Sequence, residues 1–135
     1  MTLAGKRALV TGASRGIGAA IAKALAAAVE TLPKSRMTPA GCMAVLAAVS
    51  DEWPAPIARE IRKARLDMLG SLRARLEAAV ANGELAATTD TEALSRFYLS
   101  VFQGMAIQAK DGATPAELRG AATAAMAAWP REGYK

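Results

Sequence analysis

Residues 82–111 constrain this chain more tightly than any other stretch, because they hold a helix end, a helix start and the most apolar helix of the sequence. Asn82-Gly83-Glu84-Leu85 follows a long run of helical periodicity. A residue without Cβ adopts the left-handed conformation after a helix at little cost, so Gly83 is expected to terminate that helix. Thr89 and Glu92 have the spacing of a capping box, in which the hydroxyl meets an N3 amide and the carboxylate reaches back to the N-cap. The helix that they predict, from Asp90 to Lys110, carries Leu94, Phe97, Tyr98, Val101, Phe102, Met105 and Ile107, apolar on almost every side. A helix of that kind must be covered on more than one face. Asp111-Gly112 stops it, and Thr114-Pro115-Ala116-Glu117 reads as a second capping box with proline at N1. The last helix, expected to reach about Trp129, presents Leu118, Ala121, Ala122, Ala125 and Met126 at helical spacing.

Composition points the same way. Hydrophobic residues make up 53% of the 135, yet only six are aromatic and about a quarter of the chain is alanine. Alanine has the best helix propensity, and its small side chain lets helices approach closely. The expectation is an all-α helical bundle with one core, since two separate cores in so short a chain would each be marginal. A net charge of +5 with acidic residues interspersed argues against a nucleic-acid surface. The single cysteine, Cys42, cannot form an internal disulfide and reads as a small buried hydrophobe in a reducing compartment. The sequence contains no histidine, which excludes mixed Cys/His zinc sites and Ser-His or Cys-His catalysis. No run approaches the roughly 20 apolar residues of a membrane span. The chain is therefore expected to be soluble and cytoplasmic, with no metal.

The N-terminal third has a different character. Leu3 to Thr11 contains a short buried-strand pattern, and Thr11-Gly12-Ala13-Ser14-Arg15-Gly16-Ile17-Gly18 follows as a glycine-rich turn into a helix running to about Leu32. This is similar to the T-G-x-x-x-G-x-G cofactor fingerprint of short-chain dehydrogenases/reductases, over Gly5 to Leu25. The resemblance implies that Gly12, Ser14, Arg15, Gly16, Ile17 and Gly18 hold the pyrophosphate of NADP at a helix N-terminus, with Arg15 toward the 2′-phosphate. The same family requires a second parallel strand about ten residues after the helix, and Val29 to Met37, interrupted by Pro33, does not read as one. It also requires a Tyr-x-x-x-Lys pair. Phe102 stands four residues after Tyr98, and Tyr134 is one residue from the end, so neither tyrosine has its lysine. The expectation is therefore no enzyme and no cofactor, with an inactive NADP-binding fragment as the alternative. Alternatively, residues 16–32 are one more amphipathic helix, burying Ile17, Ile21, Ala24, Leu25 and Ala28.

Residues 33–39, polar, basic and bracketed by Pro33 and Pro39, read as a linker between a strand-turn-helix remnant (1–32) and a helical domain (40–129), with 130–135 as a tail. From Ala40 onward come a small-residue-rich helix after Gly41-Cys42-Met43, a break at Ser50 to Pro54, and a long helix from Ala55 to Asn82. The long helix carries Ile57, Ile61, Ala64, Met68, Leu72, Leu76 and Ala79 on one stripe, and Lys63/Asp67 and Arg73/Glu77 as i,i+4 pairs. This order of segments resembles the C-terminal ligand-binding and dimerisation domain of TetR-type transcriptional regulators. The resemblance implies a symmetric homodimer through the last two helices, with Tyr98, Gly104, Gln108, Leu118, Ala122, Ala125 and Trp129 at the contact. It also implies a pocket for a small apolar effector lined by Met43, Leu46, Trp53, Ile61, Met68, Phe97, Phe102 and Met105, although the same residues serve equally as ordinary core. Nothing from Met1 to Pro39 resembles the helix-turn-helix that opens such regulators. The expectation is a chain that makes no direct DNA contact and that can form mixed dimers with an intact relative.

Overall fold

The computed structural model describes residues 16–33, 40–49 and 52–130, the side chains of Met43 and Val49 excepted. Five α-helices follow one another: α1 (Gly16–Thr31), α2 (Met43–Leu46), α3 (Ala55–Ala81), α4 (Thr91–Lys110) and α5 (Pro115–Ala127), with a 3-10 turn at Ala47–Val49 after α2. The all-α class expected from composition is what forms, and no strand occurs among the described residues. The strand expected at residues 3–11, the linker residues 34–39 and the tail residues 131–135 lie outside the described residues.

Helix α1 buries Gly18, Ile21, Leu25, Ala28 and Val29, the i, i+4, i+7, i+8 pattern of a single helical face. Ala24, expected on that face, is exposed instead, and Ile17 is half-buried. The buried face packs against α5, α4 and α3. Helix α1 thus shares one apolar core with α3, α4 and α5. The chain returns from α1 through Gly41, whose N–H donates to the Leu32 carbonyl at 2.7 Å. Gly41 sits at φ +92, and a Cβ there would stand 2.8 Å from Leu46 Cδ1 and 3.1 Å from the Ala106 carbonyl, so glycine is needed for both conformation and space.

Helix α3 has 27 residues and starts at Pro54 without a side-chain cap, as a helix with proline in its first turn can. Its C-terminus behaves as the sequence predicts. Gly83 lies at φ +76, its N–H bonds Val80 O at 3.1 Å, and the Glu84 N–H bonds Ala79 O at 2.8 Å. That pair of bonds is a Schellman motif, and it satisfies carbonyls that the helix end would leave free.

The start of α4 departs from expectation by one residue. Asp90, not Thr89, is the N-cap, and its carboxylate accepts the Ala93 N–H at 2.9 Å. Glu92 is consequently not the reciprocal partner. It bridges Arg73 of α3 at 2.7 Å and Arg96 at 2.6 Å, tying the first turn of α4 to α3. The second capping box is present as expected: Thr114 Oγ1 accepts the Glu117 N–H and the Glu117 carboxylate accepts the Thr114 N–H at 2.7 Å. Those bonds hold the Glu117 carboxyl below the ordinary carboxylate range.

The core is built from all the long helices. Leu76, Met105, Leu118, Val29 and Ser95 are its largest fully buried side chains. Ser95 is satisfied by donating to the Glu92 carbonyl at 2.8 Å. Among the described residues no buried side-chain nitrogen or oxygen lacks a partner, so the interior is apolar without an orphaned polar group that would mark a ligand. No helix among them is long and apolar enough to cross a membrane.

Candidate functional site

The residues expected to line an effector pocket do not share one environment. Met105 is 1% exposed and belongs to the core, and Phe102 is half-buried against it. Leu46 and Ile61 are half-buried. Trp53, Met68 and Phe97 are among the exposed large hydrophobics, and the Met43 side chain lies outside the described set. What connects the half-buried members is α2, which packs against both α3 and α4 and is pinned by Arg65, whose Nη1 donates to the Ala44 carbonyl at 3.0 Å. One N–H of the guanidinium is used on that backbone carbonyl, which fixes the Arg65 side chain over α2.

The residues expected at a dimer contact separate into two groups. Tyr98, Leu118, Ala122, Ala125 and Trp129 are buried by their own chain. The Tyr98 hydroxyl donates to the Ala125 carbonyl at 3.1 Å, and its ring lies 5.6 Å from that of Trp129. The expectation treated residues 16–32 as outside the helical domain. It therefore left α5 without the cover that α1 gives it. Gly104 is half-buried and Gln108 exposed, and these two lie on the outward face of α4 together with Ala93, Phe97, Ser100 and Ile107, which are also exposed. Helix α5 has an outward face of its own, Ala116, Gly120, Thr123, Ala124 and Ala127. That row has four-residue and three-residue spacing and could have been read from sequence, but alanine and glycine carry little hydropathy contrast. At both Gly104 and Gly120 an added Cβ would meet nothing within 4 Å.

Of the glycine-rich fingerprint, Gly12, Ser14 and Arg15 lie outside the described residues. Gly16, Ile17 and Gly18 form the first turn of α1. Beside them is a cleft of about 240 Å³ lined by Gly16, Ile17, Ala20, Arg75, Ala78, Ala79, Asn82 and Glu84. Sequence reasoning missed Arg75, Asn82 and Glu84 here, because the 67-residue separation between Ile17 and Glu84 leaves no local signal. No group of three or more histidine, cysteine, aspartate or glutamate side chains able to hold a metal ion occurs among the described residues.

Five helices in this order, with a capped aromatic helix followed by an alanine-rich one, can be compared with known proteins. Residues 18–125 match the family described as tetracyclin repressor-like, C-terminal domain. This chain belongs to that family. The match takes in nearly all of α1, in agreement with its place in the bundle. Among solved structures, the chain is similar to a cysteine mutant of the TetR family transcriptional regulator CifR complexed with 26-base-pair double-strand operator DNA. The two share 31% identity at a TM-score of 0.77, over 91% of this chain and 64% of that one. A second cysteine mutant of CifR, also complexed with operator DNA, gives 30% identity and a TM-score of 0.77 over 87% of this chain and 61% of that one. This chain thus spans somewhat under two thirds of the length of either regulator. Among curated proteins none matches.

Proposed function

We propose that this chain is the effector-sensing and dimerising part of a TetR-type transcriptional regulator, that it pairs with a second copy through the outward faces of α4 and α5, and that its five helices make no operator contact themselves. One observation carries the dimer. Helix α4 keeps Phe97 41% and Ile107 40% exposed beside Gly104, and the neighbouring α5 offers Gly120 and Ala124, with open space above both glycines. Large apolar side chains beside small ones allow two helix pairs to meet closely in an isologous four-helix contact. The effector that fits is small and apolar, because the half-buried residues expected around α2 are Leu46, Ile61 and Phe102. No catalytic step and no nucleotide cofactor enter this reading. Mixed dimers with an intact relative follow from it where such a relative shares the α4–α5 face.

Light scattering at micromolar concentration tests the dimer, with a mass of about twice 13.9 kDa expected. Gly104→Leu and Gly120→Leu separate dimer from fold. At each position an added Cβ meets nothing within 4 Å inside one chain, and glycine in a helix interior is a poorer helix former than leucine. The expected result is a monomer that keeps the helical far-ultraviolet signal and unfolds cooperatively at a midpoint that no longer depends on protein concentration. A wild-type chain that scatters as a single copy overturns the dimer. A steep, salt-dependent affinity for duplex DNA overturns the absence of operator contact.

A further inference from the structure

The glycine-rich run that ends in α1 is the motif that the regulator reading leaves unexplained. Helix α1 is sixteen residues long and begins at Gly16, and the first N–H groups of any helix have no partner inside it. One of them, the Ile17 N–H, donates to Glu84 Oε2 at 3.0 Å. Gly16 lies so close beneath this carboxylate that a Cβ would overlap Oε2 and stand 2.9 Å from Cδ. Its φ of +65 demands glycine on separate grounds. Glu84 is itself held in place by the turn after α3, where Gly83 adopts φ +76 and the Glu84 N–H bonds Ala79 O at 2.8 Å. Two glycines with positive φ, 67 residues apart, thus serve one contact.

We infer that Glu84 is the resident anion of the first turn of α1. Its carboxylate takes an amide that the dehydrogenase fingerprint would turn to a pyrophosphate, and it clasps that turn to the α3–α4 connection. The free amides and positive end of a helix favour an anion whatever its origin. An anion tethered to the same fold meets them at an effective concentration that a free phosphate must exceed to displace it. Gly16 is then required for the approach of Glu84, not of a cofactor.

The test uses the full chain and reads amide exchange at Ile17 by NMR, with Leu76 and Met105 as internal references for the intact core. A hydrogen bond to a charged acceptor is lost in Glu84→Ala, so exchange at Ile17 is expected to rise about 10- to 100-fold while the reference amides stay protected. Glu84→Gln keeps an acceptor oxygen without the charge and should give a smaller rise. Gly16→Ala should raise exchange at Ile17 at least as much as Glu84→Ala, because its Cβ displaces the carboxylate and its positive φ strains the turn as well. Sodium pyrophosphate and NADPH, titrated into the wild type, should leave the Ile17 amide signal in place. Exchange at Ile17 that is unchanged in Glu84→Ala with the core protected overturns the inference. So does a saturable shift of that signal at micromolar pyrophosphate or NADPH.

Discussion

At the scale of single residues, Tyr98 shows how a polar atom can be kept inside an alanine-rich bundle. Its side chain is 2% exposed, its hydroxyl donates to the Ala125 carbonyl at 3.1 Å, and its ring meets Phe97 edge-on at 5.0 Å and Trp129 at 5.6 Å. Burial pushes the phenol up to about 12, because a phenolate would have to be desolvated. A group whose folded value is raised contributes stability that is complete below the unfolded value, near 10, and is lost as pH climbs through the folded one. Absorbance at alkaline pH should therefore show Tyr98 resisting ionisation until the bundle itself begins to open. Tyr98→Phe should remove that alkaline transition and cost about 0.5–1.5 kcal/mol in urea unfolding, the value of one net hydrogen bond. That Tyr98 lies on an apolar face was legible from its spacing with Leu94, Val101 and Met105. Its partner was not, since nothing local relates a tyrosine to a carbonyl 27 residues away. The same holds for Glu84, whose neighbours in sequence announce a turn and say nothing of α1.

At the scale of elements, periodicity identified every long helix but not how far each is covered. The stripe from Ile57 to Ala79 marks one face of α3 correctly, yet only Leu76 and Ala79 on α3 are buried, while Ile57, Ala64 and Met68 are exposed. Apolar spacing tells which side of a helix seeks cover, and the lengths and angles of its neighbours decide where the cover ends. Helix α3 spans about 40 Å at the usual rise per residue, longer than α4 or α5. The Lys63–Asp67 pair at 2.6 Å on its uncovered part is an exposed i,i+4 contact of small stabilising value. Native-state hydrogen exchange should divide α3 accordingly. Amides around Ile61 and Ala64 should exchange by local fraying, about tenfold faster or more than those of Leu76 and Ala79, which should require opening of the core. Uniform protection along α3 would mean that a partner covers its N-terminal half. The one-residue error at the start of α4 has a comparable origin. Thr89 and Asp90 are both good N-caps by type, and with Asp90 as the cap the Glu92 side chain reaches Arg73 and Arg96 instead.

At the scale of the whole molecule, the boundary expected at residues 33–39, of which 34–39 lie outside the described residues, raises the question of where α1 belongs. Two prolines and a basic run are ordinary linker chemistry, and the glycine-rich fingerprint before them suggests a foreign start. Whether α1 belongs to the bundle, however, is decided by what its apolar face meets. Ile21, Leu25 and Val29 are 6%, 4% and 1% exposed, and α1 lies against α5, whose inward face is Leu118, Ala122, Ala125 and Met126. Arg119 of α5 and Glu30 of α1 add an ion pair at 3.0 Å, of minor value at the surface. The apolar contact decides the outcome. Burying three such side chains is worth ~5–9 kcal/mol at about 1.5–3 kcal/mol each, comparable to the ~5–15 kcal/mol that holds a domain folded. A fragment beginning at Ala40 should therefore lack a cooperative melt, bind a hydrophobic dye and lose the near-ultraviolet signal of Tyr98 and Trp129, while keeping much of its helical content. A sigmoidal, dye-free melt of that fragment would instead show that residues 40–135 make a core without α1, as the linker reading of 33–39 expects.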